Sequence, residues 1–265
     1  MGIINVTPDS FSDGGLYASL GQALRHAELL FEEGADLLDV GGESTRPGSI
    51  PVSVDEELRR IMPVVDGLVR MNVPVSVDTT KPEVMRAAIR AGAVMINDVN
   101  ALRAEGALEA AASGDVAVCL MHMQGEPRSM QVQPRYNDVV KEVKDFLRQR
   151  LDAARASGIP DKRLVVDPGF GFGKTLEHNL ELLRNLDQFA DLGVTLMAGL
   201  SRKSMLGKIT GNDVAARVHA SIAAALLAVA KGARIVRVHD VKATREALAI
   251  YNAVNNPVPG EEGWS

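Results

Sequence analysis

Cysteine is almost missing from this 265-residue chain, where Cys119 stands alone. A single thiol excludes an internal disulfide framework and suits a reducing compartment, the cytoplasm. Cys119 lies in the apolar run 116–121, so it reads as a buried structural thiol rather than a nucleophile. Long apolar runs are missing too, and no stretch reaches the ~18 residues of a membrane-spanning helix. The longest candidate, 220–230, is alanine-rich, closes at Lys231-Gly232 and reads as a buried helix. The N-terminus carries no basic region followed by an apolar segment and cleavage site, the pattern of a signal peptide. The chain starts almost directly on a strand, which leads us to expect a short upstream segment. Basic charge is not in excess either. With 29 Lys and Arg against 34 Asp and Glu, the net charge is -5, so no global field draws nucleic acid or a membrane surface. An anionic substrate would need a local basic cluster.

What is present is ordinary globular composition, 46% hydrophobic and 24% charged, in a regular alternation. Short β-type apolar runs fall at 2–5, 37–40, 73–77, 94–97, 116–121, 164–166, 195–198 and 235–238. Between them lie stretches such as 22–33, 55–70, 82–91, 138–157 and 176–186, whose apolar residues recur at helical spacing. Gly34, Gly92, Gly158, Gly193 and Gly232 each follow a helix and precede a strand, where a left-handed residue commonly ends the helix. About eight β-then-α units without a linker predict a parallel sheet. Their number, and the lack of an early dinucleotide-binding turn, favour an α/β fold of the (β/α)8 TIM-barrel type, one domain over 1–265, above a doubly wound sheet.

Nearly every strand ends on a polar residue: Asn5, Asp39, Asp78, Asn97, His122, Asp167, Ser201 just beyond its strand, and Arg237 with His239. Turn-forming Asp and Asn account for some of these, but in a barrel all of them converge on the face where active sites lie.

The long polar loop Asn5-Val6-Thr7-Pro8-Asp9-Ser10-Phe11-Ser12-Asp13-Gly14-Gly15 is expected to form a lid. Gly41-Gly42-Glu43-Ser44-Thr45-Arg46-Pro47-Gly48 joins backbone freedom to hydroxyls and a guanidinium, which suits an anion. Asp78, Asn97-Asp98 and Asp167 place carboxylates and an amide on several strand ends. Such a ring repels itself unless a ligand brings N–H donors or positive charge, as an amino-pyrimidinone edge does. Gly169-Phe170-Gly171-Phe172-Gly173-Lys174-Thr175 imitates a P-loop but leaves three residues, not four, before Gly173-Lys174. Ser201-Arg202-Lys203-Ser204 and Arg237-Val238-His239 supply, with Arg46, the local basic cluster. His122, His239 and Cys119 lack zinc spacing. Magnesium fits better, since it takes one or two protein ligands and completes its shell with water and phosphate oxygens.

At this point the motifs resemble a known family. The loops beginning at Asn5 and at Asp39-Val40-Gly41-Gly42 are similar to the two signature loops of dihydropteroate synthases. So are Ser76-Val77-Asp78-Thr79-Thr80-Lys81-Pro82, Asn97-Asp98, Met121-His122-Met123-Gln124-Gly125, Asp167-Pro168-Gly169-Phe170-Gly171-Phe172-Gly173-Lys174, Ser201-Arg202-Lys203-Ser204 and Arg237-Val238-His239-Asp240. The resemblance covers the whole chain in order. It implies a barrel, typically a homodimer, that joins 6-hydroxymethyl-7,8-dihydropterin diphosphate to p-aminobenzoate, releasing pyrophosphate and giving 7,8-dihydropteroate for folate biosynthesis. By the same resemblance, Asp78, Asn97, Asp167 and Lys203 would hold the pterin, with Met121 packed beside it. Thr45, Arg46, Arg237 and His239 would face the diphosphate, and Asn5 would ligate Mg2+. Pro47, Phe172 and Ser204 would border the p-aminobenzoate pocket, where sulfonamides compete. Asp78, Lys203, Arg237 and His239 are the expected catalytic set.

Two other functions share part of this pattern. A pterin-binding methyltransferase barrel would keep the carboxylate–amide pocket without needing the basic rim, and a non-catalytic pterin-binding barrel would tolerate degraded diphosphate loops, which here look intact. One departure from the family is His219, where members commonly carry a small residue, on a helix expected to support dimerisation.

Overall fold

Four- and five-residue apolar runs are too short to bury a helical stripe, but they can pair edge to edge. In the computed structural model, which describes residues 1–6, 15–44, 48–126 and 129–255, they do so. The strands are β1 (Gly2–Asn5), β2 (Leu38–Gly41), β3 (Val75–Asp78), β4 (Met95–Asp98), β5 (Ala117–Met121), β6 (Leu164–Asp167), β7 (Thr195–Ala198) and β8 (Ile235–Val236). They line up in sequence order, every pair parallel. The sheet then meets itself. Gly2 bridges Val238 in parallel, Ile3 N donates to Val238 O at 3.1 Å, and Val238 N donates to Met1 O at 2.9 Å. That closure excludes the doubly wound alternative and leaves a barrel.

The helices are α1 (Gly15–Glu32), α2 (Val54–Arg70), α3 (Pro82–Ala91), α4 (Ala107–Ala112), α5 (Val139–Ala156), α6 (Leu176–Arg184), α7 (Ser204–Thr210), α8 (Val218–Ala230) and α9 (Val241–Asn255). Local chemistry sets several ends. Ser53 and Asp138 accept the third backbone N–H of α2 and α5, and Thr175 forms a capping box with His178 at α6. The glycines expected to close helices do take positive φ, from +73° at Gly193 to +103° at Gly92.

Side-chain alternation along the strands divides the interior. Outward residues such as Ile4, Val40, Val77, Ile96, Leu120 and Val166 pack with the helices in one large apolar shell. Inward residues Met1, Met95, Cys119, Val165 and Met197 form a separate cluster, an apolar plug across the barrel. Two residues further along the same strands, the inward positions become Asn97, Met121 and Asp167. The plug is thus the floor of a polar chamber, as the period of two requires. Cys119 is fully buried in that floor, and burial raises its thiol pKa well above the usual value.

Two expectations need correction. The stretch 220–230 is not a buried helix. Ser221, Ala224, Ala225 and Ala228 of α8 are buried against the barrel, while Ala223, Leu227 and Ala230 are exposed. A helix in the outer ring always has an outward side, and here that side is apolar as well. Asp98 does not join the carboxylates of the chamber. Being one residue past Asn97 it points the other way, and its oxygens accept the N–H groups of Asn100 and Leu102, both at 2.7 Å. It holds a turn in which Ala101 and Leu102 have φ of 53° and 55°, an unfavourable region for residues with a Cβ. Among the described residues, no helix is long and apolar enough to cross a membrane. Asp98→Ala, which strands two backbone donors, is expected to lower unfolding stability by about 2–4 kcal/mol, read from the urea midpoint at unchanged slope.

Candidate active site

The chamber above the plug is built from one layer of strand ends. Cα pairing sets Asn5 beside Gly41, Gly41 beside Asp78, Asp78 beside Asn97, and Met121 beside Asp167. Arg237, just beyond β8, reaches into this layer. Its Nε donates to Asp39 Oδ2 at 2.6 Å and its Nη2 to Asp78 Oδ2 at 3.0 Å. Asn97 Nδ2 donates to the same Asp39 oxygen at 3.0 Å. Asp39 is fully buried, and a lone carboxylate there would carry a large desolvation cost. The guanidinium and the carboxamide together offset it.

The compensation is incomplete. Among the described residues, Asp39 Oδ1, Asn97 Oδ1 and Ser76 Oγ have no hydrogen-bond partner and are buried, so the layer still presents acceptors to incoming N–H groups. Burial raises Asp78 to about 7, against the opposing pull of Arg237 and with help from the charges of Asp39, Asp98 and Glu57. Asp167 is also raised by burial, although Gly169 N donates to its Oδ1 at 2.7 Å and Lys203 favours its ionised form. On the facing side, burial lowers Lys203 to about 8, Arg237 pushing it down and Asp167 and Asp78 holding it up. The Lys203 Nζ sits 4.1 Å from the centre of the Phe172 ring, a cation–π contact. Phe172 is itself buried against Met121, Met123, Met130 and Val99.

At the rim, His239 Nδ1 and Ser201 Oγ lie 3.0 Å apart. Burial, with the charges of Arg202 and Arg237, lowers His239 to about 4, so it is neutral at neutral pH. Arg202 leaves the expected basic cluster. Its guanidinium grips Asp240 with two bonds of 2.6 and 3.1 Å, and its N–H donates to Ser221 Oγ at 2.9 Å, so it acts as a strut. Ser204 is exposed at the start of α7, and Asn5 is exposed at the tip of β1. A cavity of about 500 Å³ opens outward from Asp78 past Thr79, Glu43, Ser44, Arg103 and Met123, a volume suited to a small heterocyclic ligand. The first loop over 7–14, and Thr45, Arg46 and Pro47, lie outside the described residues.

Two features escaped the sequence reading. Asp39 looked like one more strand end, yet it is the residue on which Arg237 and Asn97 both converge. Lys81 bonds both Glu43 and the fully buried Glu57, whose Oε1 has no partner among the described residues. Glu57 was hidden among three acidic residues of the first turn of α2, an ordinary helix-start pattern.

Similarity to known proteins identifies the family. The family described as "Pterin binding enzyme" matches residues 1–239. The dihydropteroate synthase of Neisseria meningitidis serogroup C is 53% identical over 259 residues, spanning 96% of this chain and 92% of that protein. The chain belongs to the dihydropteroate synthase family. A solved structure of Xanthomonas albilineans dihydropteroate synthase with 4-aminobenzoic acid superposes with a TM-score of 0.92 at 55% identity, covering 98% of this chain and 93% of that one. Another of the same enzyme, in complex with 7,8-dihydropteroate, gives a TM-score of 0.89 at 52% identity, covering 98% and 94%.

Within a dihydropteroate synthase barrel, the Arg237 contacts with Asp39 and Asp78 give that residue a structural role. Arg237→Met would leave Asp39 buried without its cation and should lower stability by about 3–5 kcal/mol. His239→Ala removes no partner from a buried charge and should leave the melting temperature nearly unchanged. Calorimetry of the two variants side by side checks the contrast.

Proposed function

We infer that the protein condenses 6-hydroxymethyl-7,8-dihydropterin diphosphate with p-aminobenzoate, giving 7,8-dihydropteroate and pyrophosphate, a transferase step of folate biosynthesis. The observation that carries this reading is the single layer in which Asp78, Asn97 and Asp167 offer acceptors beside Lys203 and Arg237. A pterin ring presents N–H groups on one edge and a carbonyl oxygen and ring nitrogen on another. The three acceptors suit the first edge, and the Lys203 ammonium suits the second. Met121 supplies an apolar surface next to the ring. The basic side favours this reaction over the methyltransferase alternative, because Arg237 and His239 offer donors that a diphosphate would use and a methyl transfer would not need.

In the reaction, the bond between the pterin methylene carbon and the diphosphate oxygen breaks, and the arylamine nitrogen bonds to that carbon and loses a proton. Positive charge grows on the pterin methylene, and an ionised Asp78 stabilises it. Arg237 keeps Nη1 free of any described residue, so it can meet the departing pyrophosphate without releasing Asp39. A neutral His239 whose Nδ1 accepts from Ser201 holds its proton on Nε2 and can donate there. An aniline-type nitrogen attacks in its neutral form, so no strong base is required of the protein. Phe172 and Ser204, with Thr45, Arg46 and Pro47 of the second loop, would border the amine's pocket and the diphosphate.

Among the described residues, no group of three His, Cys, Asp or Glu could hold a metal ion. Magnesium would instead take the Asn5 carboxamide oxygen as its protein ligand and draw its remaining oxygens from diphosphate and water. When bound, it neutralises charge on the leaving group. The apolar outer side of α8, with Leu227 54% exposed, supports a homodimer through this helix, with His219 exposed on the same helix. The lone buried thiol supports a cytoplasmic setting.

Pyrophosphate release from the pterin diphosphate should depend on both p-aminobenzoate and Mg2+, and chelation should abolish it. Release without the amine, or a product other than dihydropteroate, would overturn the reaction. Asp78→Asn and Lys203→Ala should each cut turnover more than about tenfold while melting normally. Because the free enzyme's Asp78 titrates at about 7, kcat/KM for the pterin diphosphate should fall as pH drops through that value, as the carboxylate gains its proton. Asp78→Asn should lack this acid limb. Light scattering should give twice the monomer mass, and Leu227→Glu should return the protein to monomers.

A further inference from the structure

Lys174 is the most deeply placed lysine of the chamber wall, and the reaction above does not use it. In the sequence it imitates the phosphate-binding lysine of a P-loop. In the fold it is buried, 3% exposed, burial lowers it to about 7 against the pull of Asp167, and in its charged form every ammonium hydrogen is committed. Its Nζ bonds His122 Nδ1, Gly169 O and Phe172 O, each at 2.9 Å. No donor remains for a phosphate. His122 is neutral, because burial and the Lys174 charge lower it to about 2, so Nδ1 is the acceptor and Nε2 carries the proton.

The bonds of Lys174 close a loop whose three glycines bring no side chains of their own to its packing, which rests on Phe170 and Phe172. Gly169, Gly171 and Gly173 all have positive φ. A Cβ on Gly169 would lie 1.9 Å from His122 O, and one on Gly173 2.4 Å from Gln124 O, so the loop is pressed against the chain after β5. Further bonds finish the fastening. Gly171 N donates to Asn179 Oδ1 at 2.7 Å, Tyr136 OH donates to Gly173 O at 2.8 Å, and Gln131 Nε2 donates to Gly171 O. The only large side chain this fastened segment turns toward Lys203 is Phe172, and Gly171 lies so near that a Cβ there would meet Lys203 Cδ at 3.2 Å.

We propose that Lys174, seated on His122, is a positioning residue that clamps the Gly169–Lys174 loop and so sets where Phe172 stands for the aromatic amine. The inference rests on the reaction proposed above. The clamp acts through Phe172 on the second substrate, whereas Asp167 and Lys203, which this loop also touches, are fixed by the end of β6 and the start of α7. Removing it should therefore affect the two substrates unequally, which a merely structural lysine would not do.

The test compares Lys174→Met with the parent enzyme. KM for p-aminobenzoate should rise at least about tenfold, while KM for the pterin diphosphate changes less than about twofold. An equal rise for both substrates, no rise for either, or a selective rise for the diphosphate would overturn the proposal, the last by making Lys174 a phosphate ligand. Should Lys174→Met not fold, Tyr136→Phe and Gln131→Ala each remove one outer tie. Both should raise only the p-aminobenzoate KM, by about two- to fivefold, and unchanged values would count against the clamp. A readout free of turnover separates this proposal from the reaction itself. In a Trp264→Phe, Phe172→Trp background, acrylamide quenching of the new tryptophan should at least about double on adding Lys174→Met. Unchanged quenching refutes the clamp, whereas a parent enzyme that releases no pyrophosphate refutes only the reaction.

Discussion

A carboxylate with no access to water governs the mouth of this barrel. Asp39 is fully buried, and its Oδ2 takes hydrogen bonds from both Arg237 and Asn97. Because the guanidinium also holds Asp78, the direction of Arg237, the orientation of the Asn97 amide and the proton affinity of Asp78 are one coupled problem. Removing Arg237 leaves Asp39 stranded in a poorly solvated place, whereas an isosteric change at Asp78 keeps an oxygen to accept from Arg237. The geometry of this charged layer therefore exists before any ligand arrives, and preorganisation of that kind is what electrostatic catalysis draws on.

The chamber depends equally on the apolar plug below it. Met1, Met95, Cys119, Val165 and Met197 close the bore, so the polar layer has a dry floor and burial can move Asp78, Asp167 and Lys203 toward neutral pH. The step from Met95 to Asn97, or from Val165 to Asp167, is one repeat of a strand. Two residues of sequence thus separate packing from chemistry.

Much of this was legible in the sequence because it is written locally. A strand's apolar run, a glycine after a helix, and a polar residue where the run stops are neighbours in the chain, and each became what its pattern implied. Residues whose meaning lies in distant partners were opaque. Asp39 resembled any other strand-end carboxylate until Arg237, 198 positions away, folded onto it. Glu57 is tied to Lys81 across 24 positions, and Lys174 to His122 across 52. Asp98 misled for a simpler reason, since alternation sends the residue after Asn97 to the opposite wall. Arg202 looked like a free cation because Asp240 is 38 positions distant. For α8, composition showed that the helix is apolar on every side but not which side meets the barrel.

The seam that closes the sheet joins the first residues to Val236 and Val238. In a chain made from its N-terminus, β1 must wait for nearly all the rest to be synthesised before gaining its second neighbour. Such long-range closures are slow because the loop entropy is spent before any contact repays it. Arg237 sits on this seam, so the last contact to form in the barrel and the cation that neutralises Asp39 arrive together. A nascent or truncated polypeptide ending before β8 would hold a buried carboxylate with no counter-charge and an open sheet edge, a form for chaperones or proteases to recognise rather than a weakened enzyme.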